Sequence, residues 1–265
     1  MASVRVDSYQ LPYFYFDACS QALAAHFTHP ADYEIDAQAS SSLCSTGGHS
    51  TARVENFDYR GLISFKAGYT EISADYEDDE GSKDTEATAT VEGLNILNVV
   101  TADLITAQTY SQHPTNASEG SVSMEGCKFE NLRILGQPVK MELNFPLFDG
   151  IRTFKQAQEA YRKKGEFWHI AKDPFQTGQN LPPQDATGAF LCSLIKGGIQ
   201  VDVPSVQTVG HAVLIPNFGT IYLAEMMISH AQRTFSMIRF NLDAAVKASG
   251  SVACGTTNGK QYPPH

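Results

Sequence analysis

A chain of 265 residues, 42% of them hydrophobic and only 18% charged, can bury a sizeable core, so its composition excludes an intrinsically disordered protein. The formal charge of −10 leaves no surplus of Lys and Arg to gather on one face, which excludes a nucleic-acid binder and a ligand for anionic membranes. No apolar run approaches the roughly 18 residues of a membrane span, so membrane insertion is not expected.

Asp7, Pro12 and Asp17 interrupt the only aromatic patch near the start, so no signal peptide is expected and the compartment stays open between cytoplasm and exterior. With 20 Gly, 12 Pro and many short apolar runs, the chain reads as mainly β. The expected architecture is an antiparallel β sandwich or barrel with one surface α-helix near 153–164. It forms a single domain over 1–265, with 1–50 a peripheral aromatic and Gly/Ser-rich segment and 51–265 the β core.

Residues 9–16, YQLPYFYF, read as an extended segment packed over a core rather than a ligand platform. Asp17 then offers an N-cap for a short helix with Ala22, Leu23 and Phe27 facing inward. On such a helix His26 and His29 would share a face, but Pro30 ends the element and no third ligand follows, so no metal site is expected. Residues 40–50 form a Gly/Ser loop. Alternation between Arg53 and Tyr76 predicts two strands parted at Ala67-Gly68.

Seven acidic groups lie between Asp75 and Glu86. A calcium loop starting at Asp75 needs Gly at its sixth position, where this chain has Glu80, so the stretch reads as a solvated hairpin tip. The runs 87–110 and 120–144 share a cadence, Glu92-Gly-Leu-Asn-Ile-Leu97 and Glu130-Asn-Leu-Arg-Ile-Leu135, suggestive of related strand units. Between them, Asn116-Ala117-Ser118 is a glycosylation acceptor by pattern, read as chance. Cys19, Cys44, Cys127, Cys192 and Cys254 make no C-x-x-C pair and read mostly as buried thiols.

Phe154, Ala157, Ala160 and Tyr161 fall at helical spacing over 153–164, with Gly165 as the stop. Trp168 and His169 follow beside a Pro/Gly/Gln loop and are the candidate ligand-binding residues. Residues 189–203 predict two strands split at Gly197-Gly198. The stretch Thr208–Leu242 packs three apolar runs around turn signals, with Glu225 in phase with Ile221, Leu223 and Met227 in a strand covered on both sides.

A carboxylate there must be paired or shifted in pKa. If 229–234 is a hairpin of suitable length, Arg239 faces Glu225; His211 and His230 are the other candidate partners. The structural expectation is an internal ion pair that sets strand register. The catalytic one makes Glu225 a general acid or base, with Arg239 or His211 stabilising developing charge.

VEGLNILNVVTADLITAQTYS (91–111), the Gly120–Asn144 segment and the FGTIYLAE run (218–225) resemble the cadence of bacterial surface-associated β domains of the choice-of-anchor P type. The resemblance implies a surface-associated β fold and brings no catalytic residues with it. The expected function is therefore a noncatalytic binding or assembly module, with a β-cavity enzyme using Glu225 as the alternative. No cofactor or metal is implied, and the partners expected are a second copy of the chain or a protein or glycan ligand.

Overall fold

Period-two burial dominates the chain, and the strands it makes fill two antiparallel sheets. A computed structural model describes residues 13–77, 81–114, 117, 119–174, 188–230 and 232–262. Numbered in chain order, the first sheet runs β14 (Gln207–Val209), β15 (Ala212–Ile215), β16 (Gly219–Ser229), β17 (Arg233–Asp243), β18 (Lys247–Tyr262), β1 (Tyr13–His29), β2 (Tyr33–Gln38). Off this path, β12 (Ala189–Ser193) pairs with β16 and β3 (Ser41–Ser42) with β1. The second sheet runs β13 (Ile195–Val201), β11 (Gln137–Leu143), β10 (Arg133–Ile134), β7 (Val100–Pro114), β6 (Ser82–Ile96), β5 (Ile63–Glu77), β4 (Gly48–Tyr59). Here β8 (Ser121–Ser123) and β9 (Lys128–Glu130) attach to β7. The sheets do not close, and the core lies between them, so the fold is a β sandwich.

Among the described residues three short helices connect β11 of the second sheet to β12 of the first: α1 (Phe145–Asp149), α2 (Phe154–Arg162) and α3 (Glu166–Ala171). The expected helix is α2, held at its start by a capping box in which Thr153 accepts from Gln156 N and the Gln156 side chain accepts from Thr153 N. Among the described residues no helix is long and apolar enough to cross a membrane.

Three local expectations are corrected. The helix after Asp17 is instead part of β1, which pairs with β18 along nearly its whole length and is flanked by β2 and β3 on its other side. Burial at Phe14, Phe16 and Ala18 follows period two, and ladder hydrogen bonds on both sides override the helical propensity of the alanines. Between Tyr13 and Ser42 the chain thus supplies β1, β2 and β3 of the first sheet, and the helical geometry for His26 and His29 disappears; His26 Nε2 lies 2.6 Å from Asp32 Oδ1.

The second concerns Ala67-Gly68, which is not a turn, since β5 runs straight through it. Gly68 is there because a Cβ would lie 2.8 Å from Ala22 Cβ of the other sheet. Nor do Gly197-Gly198 divide two strands. They form a bulge inside β13, while the chain changes sheets one turn earlier at Leu194, whose N–H donates to Ala224 O (2.9 Å).

The repeated cadence does correspond to repeated structure. Leu94 and Ile96, and likewise Leu132 and Ile134, are buried, and each pair is followed by a left-handed leucine, Leu97 or Leu135, in a hairpin turn. At the acidic tip Asp84 accepts from Ser82 and Tyr110 hydroxyls and Glu86 from Gln108; Asp78, Asp79 and Glu80 lie outside the described residues, as do Asn116 and Ser118. No cysteine is bridged: Cys127, Cys192 and Cys254 are buried, Cys19 and Cys44 exposed. Burial pushes the Cys127 and Cys192 thiols up to about 12, which leaves them unreactive.

A transverse crease crosses both sheets. In the first, Leu23, Val252, Ile238 and Leu223 pair in one row, and Ala22, Ala253, Met237 and Ala224 form the next; all eight are 0% exposed. Two successive residues of each strand therefore face inward, so the buried positions change parity there. In the second sheet parity changes at Glu55-Asn56, Lys66-Ala67, Glu92-Gly93 and Asp103-Leu104, again in register.

Alternate strands carry a left-handed residue at this line: Ala224 (φ 50°), Ala253 (φ 50°), Asn56 (φ 52°) and Gly93 (φ 64°). The left-handed conformation costs about 1–2 kcal/mol at an ordinary residue. At exposed Asn56, substitution by Val is expected to lower unfolding free energy in urea by about 1–2 kcal/mol, while Gly stays within about 0.5 kcal/mol of the parent. Equal effects of the two would count against backbone strain at this position.

Candidate functional site

The crease creates the site. On β16 the exposed face holds Tyr222 before Ala224 and Glu225 after it, although the two are three residues apart and a regular strand would send them to opposite faces. Ser236 and Arg239 share that face of β17 for the same reason. The 229–234 connection is a hairpin, but Glu225 pairs with Ser236, and Arg239 with Tyr222, so the two charged residues meet diagonally rather than face to face.

The contact is bidentate: Arg239 Nε donates to Glu225 Oε1 at 2.6 Å and Nη2 to Oε2 at 2.8 Å. The guanidinium also lies 3.7 Å from the centre of the Tyr222 ring. His211 completes the cluster. It occupies the second position of the two-residue β14–β15 turn, after Gly210 (φ 61°), in the Gly-X pattern of a type II′ hairpin. Its carbonyl accepts from Leu223 N (3.0 Å), which folds the ring over β16 and places Nε2 3.0 Å from Glu225 Oε2.

Burial resists ionisation of Glu225, but the hydrogen bonds from Arg239 and His211, with the charge of Arg239, outweigh it and hold the carboxyl down at about 2. Ionised, it can only accept, so the proton between it and His211 resides on Nε2. His211 is 4% exposed and Glu225 9%.

On the other side of His211 opens a cleft of about 720 Å³, between β13, the β14–β15 turn and α3. His169, Asp173, Ser193, Lys196, Gln200, Thr208 and His211 supply its polar lining, and Gly197 and Gly198 its backbone rim. Neither glycine has an atom within 4 Å of where a Cβ would sit, so the rim is open. The Ser193 hydroxyl donates to Leu223 O (2.9 Å) and accepts from Ile195 N (3.1 Å), which commits it to holding the chain crossing. Lys196 Nζ lies 2.9 Å from Glu142 Oε1 at the mouth.

Of the residues singled out in the sequence, Glu225, Arg239 and His211 come together, and His169 joins the cleft. Trp168 is turned to Lys172, whose Nζ lies 4.1 Å from its ring centre. His230 packs its ring near Phe154. Sequence reasoning missed Ser193, Lys196 and Thr208; the Gly197-Gly198 pair was their one local signal. It also missed Arg233, 3% exposed, which donates to Ile151 O (2.8 Å) and Val122 O (3.4 Å) and whose pKa burial lowers to about 10. Among the described residues no group of three or more His, Cys, Asp or Glu converges as a metal ion would need.

A family described as a domain of unknown function, DUF8256, matches residues 14–179 and 169–229. Neither the curated proteins nor the solved structures contain a significant match.

Proposed function

The chain belongs to the DUF8256 family, and we propose that it is a noncatalytic binding module whose ligand seat is the cleft above His211. One observation carries this reading: the only deeply buried carboxylate among the described residues, Glu225, is locked as an anion by two partners and serves to fix the His211 ring at the cleft floor. A carboxyl held at about 2 stays deprotonated near neutral pH and cannot act there as a general acid.

The cleft volume suits a small ligand. Its lining mixes donors and acceptors of both charges, a composition that matches hydroxyl groups, which donate and accept at once. A glycan or another polyhydroxylated compound is the class it fits.

Calorimetric titration against a panel of mono- and oligosaccharides tests the reading. At least one is expected to bind, with affinity falling about tenfold or more in Lys196→Ala or His169→Ala, both exposed positions whose loss leaves the thermal midpoint unchanged. Silence across the panel, or binding indifferent to both variants, would overturn it. A β-cavity enzyme is the second reading, favoured by the carboxylate behind His211. In that case His211 would move the proton and Glu225 would orient it, so activity would vanish in His211→Asn.

A further inference from the structure

Among the described residues β4 ends the second sheet and pairs only with β5. Sheet edges are normally kept short or interrupted, because a row of unpaired N–H and C=O groups recruits other strands. The other edges here obey that rule: β2 has 6 residues, β3 has 2, β14 has 3, and β13 is broken by its glycine bulge. β4 runs 12 residues with neither Pro nor Lys. Its inward row, Ala52, Val54, Phe57 and Tyr59, packs on the core yet remains only half-buried, so the apolar interior is uncovered along this edge.

We propose that β4 of one copy pairs antiparallel with β4 of a second copy about a two-fold axis through Ala52, extending the sheet across a dimer. The outward row decides the register. About Ala52, His49 faces the second copy's Glu55 at two symmetric places and Thr51 faces Arg53, so no like charges oppose one another. Moving the axis one residue either way, which keeps the outward faces together, sets Arg53 against His49 or against itself. Moving it to Val54 pairs Arg53 with Glu55 but drives the ladder through left-handed Asn56 near its centre. The Ala52 register is the one that uses the whole extended run His49 to Glu55, which lies between Gly48 (φ 111°) and Asn56 (φ 52°).

The inference does not depend on the cleft. A single strand pair is a small interface, so the dimer dissociates in the micromolar range or above.

Light scattering and sedimentation equilibrium on the full chain, over a concentration series spanning that range, test it. A concentration-dependent dimer is expected. Glu55→Lys should raise its dissociation constant about tenfold or more, and His49→Glu combined with Glu55→Lys should restore it to within about threefold of the parent. Both side chains are exposed, so thermal midpoints should match the parent and separate lost pairing from lost folding. A monomer at every concentration overturns the proposal, and so does a dimer indifferent to Glu55→Lys or not rescued by the double variant. Dimerisation lost only on removing residues 1–12 would assign the interface elsewhere and overturn it as well.

Discussion

Glu225→Gln is expected to lower unfolding free energy by about 2–4 kcal/mol and the thermal midpoint by about 5–10 °C, because it leaves the half-buried Arg239 guanidinium without its counter-charge. The amide keeps the shape of the side chain but presents an N–H₂ where two donors already point. The double variant Glu225→Met with Arg239→Met should cost less than either single change to Met, since no charge is then left unpaired. A double variant as damaged as the sum of its singles would argue that the two residues stabilise independently.

The same carboxylate has a pH signature. Its pKa falls from an ordinary 4.5 to about 2 in the folded protein, so the unfolded chain binds the proton more readily. The stabilisation is therefore complete above about pH 4.5 and is lost as the pH falls through that value towards 2, on the order of 3 kcal/mol in all. In Glu225→Gln this part of the acid limb should vanish. Urea titrations between about pH 6 and pH 2.5 would show it, and parallel curves for parent and variant would refute the assignment.

Gly219→Ala is expected to be at least as damaging, roughly 3 kcal/mol or more, with failure to accumulate as folded protein the extreme outcome. Gly219 opens β16 with φ 134°, and a Cβ there would overlap the Asn241 carbonyl oxygen and approach Asp243 N to 2.9 Å. Both neighbours are backbone. Making room would pull Asp243 N from Phe218 O, a 2.9 Å hydrogen bond, and open the Gly219–Leu242 end of the central hairpin. Gly197→Ala is the control. Its φ of 74° is also left-handed, but no atom lies within 4 Å of the new methyl, so only conformational cost remains, about 1 kcal/mol. Equal urea midpoints for the two variants would remove the steric argument.

Local chemistry made several elements readable. Helical spacing at Phe154, Ala157, Ala160 and Tyr161 located α2 because periodicity acts within a few residues, although the helix ends at Arg162 and Gly165, expected as its stop, is the N-cap of α3. Strand alternation identified the β class for the same reason, and the apolar setting of Glu225 showed that it needed a partner. The helix misread at Asp17 and the false break at Ala67-Gly68 have a different origin. In both, a contact far along the chain decided the outcome: β18 pairing with β1, and Ala22 pressing against Gly68.

By itself, then, the sequence determined that this protein is an antiparallel β fold, sandwich or barrel, with a surface helix, and that Glu225 must be paired or shifted in pKa, because propensity, periodicity and the cost of a buried charge are local quantities; that the sheets stay open as a sandwich was decided by the tertiary structure. Only the tertiary structure decided which face Glu225 occupies and what it meets. A strict period of two assigns it to the face opposite Tyr222, and the left-handed Ala224, held by four strands that change parity in register, moves it to the same one. That crease is a property of the sheet and of no single strand. The Arg239 and His211 contacts, and the cleft that His211 floors, follow from it.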